Sequence, residues 1–173
     1  MIAYCYIFLA QVLRKKCFLN KVFQSRSGKI VYKLLRWLVT ESLNIKNIEF
    51  LGALKHEKLA DYYNLADVFV LPSVTSRMGT EGQGLVLLEA MSCGTPVIGT
   101  NTGGIPAIVK NNQTGILVNE RNENQLANAV IKMLSDKKLS QRLSNNGIKF
   151  VKNNYSWDII AKKFDEIYRK LEK

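Results

Sequence analysis

The sequence has very few of the residues that usually hold metal ions. His56 is the only histidine, and the three cysteines at positions 5, 17 and 93 are widely spaced. Structural zinc sites need several such ligands at close spacing, so a metal site is not expected. An odd number of distant cysteines also fits free thiols better than a disulfide framework. We therefore expect a cytoplasmic protein that works without a metal.

Long apolar segments are also absent. The first apolar run, MIAYCYIFLAQVL, ends after 13 residues at Arg14, whereas a membrane-spanning helix takes about 20 residues. The run has no basic start and no small-residue cleavage site, which argues against a signal peptide. We interpret residues 3–16 as a mostly apolar, buried helix.

Positive charge, in contrast, is plentiful. The 173 residues include 25 Lys and Arg against 14 Asp and Glu, a net charge of +11. This excess favours anionic partners such as nucleotide phosphates or an anionic membrane surface. The basic region 132–173 would suit peripheral contact with a membrane, although solvated helix faces explain most of its charge. Nucleic acid is not an expected partner, because no nucleic-acid-binding motif accompanies the charge.

Short apolar runs alternate with helical patterns along the chain. Continuously apolar runs are typical of parallel strands that are covered by helices on both faces. They occur at 48–52, 67–73, 96–101 and 114–118. Helical periodicity is found at 30–43, 56–66, 84–93, 124–134, 139–153 and 157–173, and residues 17–29 predict a short strand and a turn. Ser156 is the expected N-cap of the last helix. The pattern predicts one α/β domain over residues 1–173.

The stretch EGQGLVLLEA at 81–90 carries the most chemistry. It follows the second of these strands, and ligands of parallel sheets bind where a strand passes into a helix. Gly82 and Gly84 would let the backbone approach a ligand closely. The free N–H groups of Gly84, Leu85 and Val86 at the helix start would form a seat for a diphosphate.

Two glutamates, Glu81 and Glu89, frame this helix start. A carboxylate can accept two hydrogen bonds from neighbouring hydroxyls, and a nucleoside diphosphate sugar carries such hydroxyls on its sugar and on its ribose. The simpler interpretation makes Glu89 a solvent-facing helix residue and Glu81 a partner of the helix dipole. The spacing alone does not decide between the two.

The motifs ADVFVLPS, EGQGLVLLEAMSCGTPVIGT, GGIP and TGILV together resemble the group 1 (family 4) retaining glycosyltransferases of GT-B fold. The resemblance is close over residues 45–173 and loose over 3–44. It implies a Rossmann-like parallel sheet with helices on both faces, one half of a GT-B architecture. It also implies a nucleotide-sugar donor, transfer to an acceptor hydroxyl with retained configuration, and no metal or other cofactor.

The resemblance further implies roles for individual residues. Glu81 would act at the donor sugar as the catalytic residue, and Glu89 would hold the ribose. The other donor-binding residues that it implies are Gly82, Gly84, Leu85 and Val86 at the diphosphate, Gly52, Ala53 and Leu54 near the base, and Thr102 and Gly103 beside the site.

The chain departs from the family pattern on its N-terminal side. Members bind the acceptor mainly in a separate N-terminal domain, and their donor domain opens with a strand, an arginine and a lysine that have no counterpart here. We therefore expect a donor domain that is incomplete at its N-terminal edge and needs a separate acceptor domain. The alternatives are a non-catalytic remnant and a nucleotide-binding subunit or stand-alone module.

Overall fold

The computed structural model describes residues 6–13, 16–23, 48–49, 51, 54–75, 79 and 81–172. For the strands before residue 50 it describes the backbone alone. The helix predicted at 30–43 lies outside the described residues, as do Gly52 and Ala53.

Six strands form one sheet in the order β3-β2-β1-β4-β5-β6. Their bounds are β1 Tyr6–Leu13, β2 Lys16–Phe23, β3 Ile48–Glu49, β4 Val68–Leu71, β5 Val97–Thr100 and β6 Ile116–Val118. Strands β4, β5 and β6 are parallel, with Phe69 opposite Val97 and Ile98 opposite Ile116. Strand β3 pairs in parallel with β2. The predicted α/β fold is therefore confirmed, and its parallel core lies at β4–β6.

The helix predicted at residues 3–16 was wrong. Residues Tyr6–Leu13 form β1, which runs antiparallel to both of its neighbours, β2 and β4. An apolar run that is interrupted only by Gln11 does not by its periodicity distinguish a buried helix from a strand, and this one contains aromatic and β-branched residues that favour strands. Its pairing with Lys16–Phe23 in full register settles the choice. The sheet is consequently mixed at β1 rather than wholly parallel.

The predicted helices in the described part of the chain are confirmed to within a few residues. A 3₁₀ turn at His56–Lys58 leads into α1, and the helices are α1 Leu59–Leu65, α2 Leu85–Ser92, α3 Ile105–Ile108, α4 Glu123–Ser135, α5 Lys137–Tyr155 and α6 Trp157–Leu171. The single-turn helix α3 was not predicted. Helix α5 begins earlier than predicted because the Asp136 side chain accepts a hydrogen bond from the N–H of Leu139 at 2.9 Å. Ser156 occupies the N-cap position of α6, but its side chain makes no capping hydrogen bond with the described residues.

The core has two layers, one on each face of the sheet. Alternate residues of each strand point to opposite faces. Phe69 and Leu71 of β4 pack with Leu87 and Met91 in the layer under α1, α2 and α3. The alternate side chains of β4 point to the other face and pack in the layer under α4 and α5. Strands β4 and β5 are buried throughout, which explains their continuous apolar sequence. None of the described helices is both long and apolar enough to cross a bilayer.

Candidate functional site

The candidate site lies at the carboxyl ends of β4 and β5. The loop after β4 spans residues 72–84, of which 72–75, 79 and 81–84 are described; it is called the donor loop here after its predicted role. Because the two strands are parallel, the donor loop and the glycine turn (residues 101–104) leave the sheet at the same end. The hydroxyl of Thr100 donates to the carbonyl of Ser73 at 2.6 Å. The N–H of Gly104 donates to the carbonyl of Glu81 at 3.2 Å. These bonds join the two segments into one surface at the start of α2.

Glu81 is half-buried in the donor loop and faces the start of α2. Its Oε1 accepts a hydrogen bond from the N–H of Gly84 at 3.2 Å, and its Oε2 accepts one from the Ser73 hydroxyl at 3.4 Å. This is the place that the helix-dipole interpretation gives to Glu81, at the positive end of the helix. The role of Glu81 at a donor sugar stays a prediction.

Gly84 sets the geometry of the helix start. It is buried and has φ 63 and ψ 42, a left-handed conformation that favours glycine. A Cβ at this position would lie 3.1 Å from Cδ1 of Leu87. Within the described part of the chain, no acceptor meets the N–H groups of Leu85 and Val86. Two backbone donors are therefore available at the positive end of α2.

Glu89 does not match the solvent-facing interpretation. It is half-buried in α2, and its Oε2 accepts a hydrogen bond from the Tyr63 hydroxyl at 2.9 Å. Tyr63 itself is 2% exposed, so the carboxylate is hydrogen-bonded to a residue of the core. This bond between Tyr63 and Glu89 was not predicted from the sequence.

Thr102 and Gly103 lie in the glycine turn, against the donor loop. The hydroxyls of Thr102 and Thr75 are 2.6 Å apart. Gly103 has φ 53, again a left-handed conformation. A Cβ on Gly104 would overlap the carbonyl oxygen of Gly82, so the two backbones approach more closely than any side chain would allow. The sequence thus placed both residues beside the site, and the structure brings them there.

Gly52, Ala53 and Leu54 were expected near the base, and of these three the structure describes Leu54. It is half-buried, and its side chain packs against the core layer that contains Phe69 and Leu87. Its role at a base stays a prediction. Among the described residues, no three His, Cys, Asp or Glu side chains are grouped closely enough to hold a metal.

A clamp on the donor loop was missed by the sequence analysis. The N–H of Thr75 donates to Oε2 of Glu120 at 2.6 Å, and Nη2 of Arg121 donates to the Thr75 carbonyl at 2.9 Å. The bond from the Thr75 backbone is the main reason that the pKa of Glu120 lies below its ordinary value of 4.5. Glu120 follows the carboxyl end of β6, so the rule that located the donor loop would also have pointed to it.

This arrangement suits a ligand with an anionic group and several hydroxyls. The helix start offers N–H donors to the anion, and carboxylate acceptors lie just before the helix, at Glu81, and in its second turn, at Glu89. The two glutamates contact different elements, since Glu81 bonds within the donor loop and Glu89 bonds to α1.

Among curated proteins, the chain is similar to a GDP-mannose-dependent alpha-(1-6)-phosphatidylinositol monomannoside mannosyltransferase of Mycobacterium tuberculosis. The two are 35% identical over 125 residues, which cover 71% of this chain and 32% of the relative. The chain spans about a third of the length of the curated relatives that it matches.

Solved structures give the same picture of the fold. A sucrose-phosphate synthase from Thermosynechococcus elongatus superposes with a TM-score of 0.74 at 34% identity, covering 88% of this chain and 38% of that one. The Anabaena protein Alr3699/HepE, solved in complex with UDP, has a TM-score of 0.67 over 81% of this chain and 36% of its own. At 22% identity, this second likeness shows the fold alone.

A match to the sequence profile of a protein family shows the family of this chain. The model described as glycosyl transferases group 1 matches residues 32–150, more than half of the chain. The matched region contains β4, α2, β5 and β6, and with them the donor loop, the glycine turn and both glutamates. The chain therefore belongs to the group 1 glycosyl transferases.

Proposed function

We propose that this domain binds a nucleoside diphosphate sugar and holds it for retaining transfer to an acceptor hydroxyl. The observation that carries the proposal is the start of α2. There, backbone N–H groups that no described acceptor meets lie in the chain between Glu81 and Glu89, and Glu89 is hydrogen-bonded to the buried Tyr63. The family supports the reaction class. The Mycobacterium tuberculosis relative is GDP-mannose-dependent and Alr3699/HepE was solved with UDP, so the ligand class has support from both.

In this proposal the diphosphate lies at the start of α2. The N–H groups of Leu85 and Val86 would donate to its oxygens, and the helix dipole would favour its charge. The same donors would stabilise the negative charge that grows on the leaving diphosphate as the sugar departs. The proposed chemistry uses these backbone groups rather than a metal.

Glu81 would meet the donor sugar. Its present bonds to Ser73 and Gly84, at 3.4 and 3.2 Å, are long for hydrogen bonds to a carboxylate. Sugar hydroxyls at normal distances would replace them at little cost. Glu89, in contrast, keeps one oxygen on Tyr63 and would accept from the ribose hydroxyls with the rest of its carboxylate.

Glu81→Gln tests the assignment of Glu81 to the sugar. The amide keeps the shape of the side chain but removes its charge, so bonds from sugar hydroxyls should weaken by about 1–1.5 kcal/mol, or roughly tenfold. We expect this loss for the sugar-linked nucleotide and little change for the free nucleotide, as measured by calorimetric titration. Glu166→Gln, on the exposed face of α6, is the matched control. Equal losses for both ligands, or none for either, would contradict the assignment.

Transfer also needs an acceptor held against the donor, and we propose that another domain, on this chain or on a separate one, provides it. Helix α6 exposes a row of large apolar side chains that such a domain could cover: Trp157, Phe164, Ile167, Tyr168 and Leu171.

Because orientation supplies much of the rate enhancement, the 173 residues alone should show negligible transfer in a product assay. Transfer by them at ordinary rates of about 1–10³ s⁻¹ would contradict this proposal.

We also propose a cytoplasmic location with peripheral membrane contact. Helix α5 carries an open depression lined by Lys137, Lys138, Gln141, Arg142, Asn145, Asn146 and Lys149. Arg142 donates a hydrogen bond to the loop that precedes β6. The depression therefore lies near the amino end of β6, whereas the candidate site lies at the carboxyl ends of the strands. The positive charge of this depression would suit the anionic headgroups of a membrane. The cytoplasmic location is supported separately by the free thiol of Cys93, which fits a reducing compartment. Co-sedimentation with vesicles that contain anionic lipid, and none with neutral vesicles, would support the contact; equal sedimentation would contradict it.

A further inference from the structure

Tyr63 connects the core to the candidate ribose-binding carboxylate. It lies on α1, 26 residues before Glu89, and its hydroxyl donates to Oε2 of Glu89 at 2.9 Å. The tyrosine is 2% exposed, whereas Glu89 is half-buried. The bond therefore runs from a buried donor to an acceptor at the surface of the site.

The position of the Tyr63 side chain is fixed by its surroundings. Its ring packs edge-on against Phe69, with centroids 5.3 Å apart and an angle of 84° between the ring planes. Its backbone carbonyl accepts a hydrogen bond from the Thr95 hydroxyl at 2.6 Å. A buried aromatic ring with these contacts has little freedom to move, so the hydroxyl is a fixed point.

A fixed donor limits what the Glu89 carboxylate can do. With Oε2 bound to Tyr63, the side chain is held in one orientation, and Oε1 remains to accept hydrogen bonds from a ligand. A glutamate on a helix surface otherwise loses considerable side-chain freedom when it binds a ligand. We propose that Tyr63 is a positioning residue that orients Glu89 for the ribose hydroxyls and so helps the site to select ribonucleotides. This inference rests on the proposed function.

Tyr63→Phe isolates the hydroxyl. Phenylalanine keeps the ring and its contact with Phe69, and the half-buried Oε2 of Glu89 can take a water molecule instead, so the variant should fold. The adjacent Tyr62 is the matched control, because it is half-buried on the same helix and no described hydrogen bond joins it to Glu89. Thermal melting of both variants checks that each is folded.

The test compares the ribose and 2′,3′-dideoxyribose forms of GDP and of UDP. Tyr63→Phe should weaken binding of the ribose form about five- to tenfold, because the ligand must then order a glutamate side chain that the hydroxyl no longer holds. Binding of the dideoxy form, which does not use Glu89, should stay within about twofold. Tyr62→Phe should change neither. A loss that is equal for both forms would make Tyr63 merely structural and would overturn the inference.

Glu89→Ala separates failure of this inference from failure of the proposed function. In that background the preference for ribose should vanish, and Tyr63→Phe should cause no further loss. A ribose preference that survives Glu89→Ala would overturn the proposed function itself. A preference that Glu89→Ala abolishes but Tyr63→Phe leaves intact would overturn only the role of Tyr63.

Discussion

Replacing Glu89 with alanine should abolish most of the nucleotide binding by this domain. If Glu89 accepts two hydrogen bonds from the ribose, each is a bond to a charged group worth about 1.5–3 kcal/mol. Losing both weakens binding by about 10²- to 10⁴-fold, at 1.4 kcal/mol for each factor of ten. The change also removes the hydrogen bond between Tyr63 and Glu89, which adds a cost to folding rather than to binding.

The control for this loss is another glutamate that is replaced in the same way. Glu166→Ala, on the exposed face of α6, removes the same charge far from α2 in the sequence and should bind nucleotide as the original chain does. Calorimetric titration measures both variants, and thermal melting shows whether they are folded. If a folded Glu89→Ala variant bound as tightly as Glu166→Ala, Glu89 would have no part in the site.

Gly104→Ala should disrupt the site by separating the glycine turn from the donor loop. The new Cβ would overlap the carbonyl oxygen of Gly82 and come within 3.1 Å of the Cα of Gln83. These are backbone atoms that cannot rotate away, so the bond from the N–H of Gly104 to the carbonyl of Glu81 should be lost. Overpacking of this kind costs about 1–3 kcal/mol, and each kcal/mol lowers the Tm of a domain this size by roughly 2–4 °C.

Gly104→Ala should also weaken nucleotide binding, because it displaces the groups around the ligand. For a displacement of about 1 Å we expect a loss of tenfold or more. Gly82→Ala is the control for stability, because a Cβ at that position meets no atom of the described residues within 4 Å. Its Tm should match that of the original chain. Equal melting temperatures for the original chain and for both alanine variants would show that the close contact at Gly104 is not needed.

The elements that build the site could be predicted from the sequence because their signals are local. The sequence VFVL is continuously apolar and forms a strand that is buried on both faces. Helix α2 ends where glycine and proline follow it, and Gly94 has the expected left-handed φ of 81. Strand β1 was mispredicted because its apolar run, interrupted only by Gln11, shows no periodicity that separates a buried helix from a buried strand.

The positions of the candidate residues in the fold were predicted, but their contacts were not. The glutamates and glycines were placed at the start of a helix, as the structure has them. The partners that orient them are distant in sequence: Tyr63 is 26 residues from Glu89, and Thr75 is 45 residues from Glu120. Such pairs are set by how helices and loops pack on the sheet, which periodicity does not encode.

The central claim, that this domain binds a nucleoside diphosphate sugar through the start of α2, is tested most directly by titrating the folded chain. Calorimetry would use UDP, GDP and ADP, each free and sugar-linked, and the 2′,3′-dideoxy form of whichever nucleotide binds. We predict saturable binding to at least one nucleotide, stronger with the sugar attached and weaker without the ribose hydroxyls. A folded chain that binds none of these ligands at about 1 mM, or that binds ribose and dideoxyribose forms equally, would contradict the account.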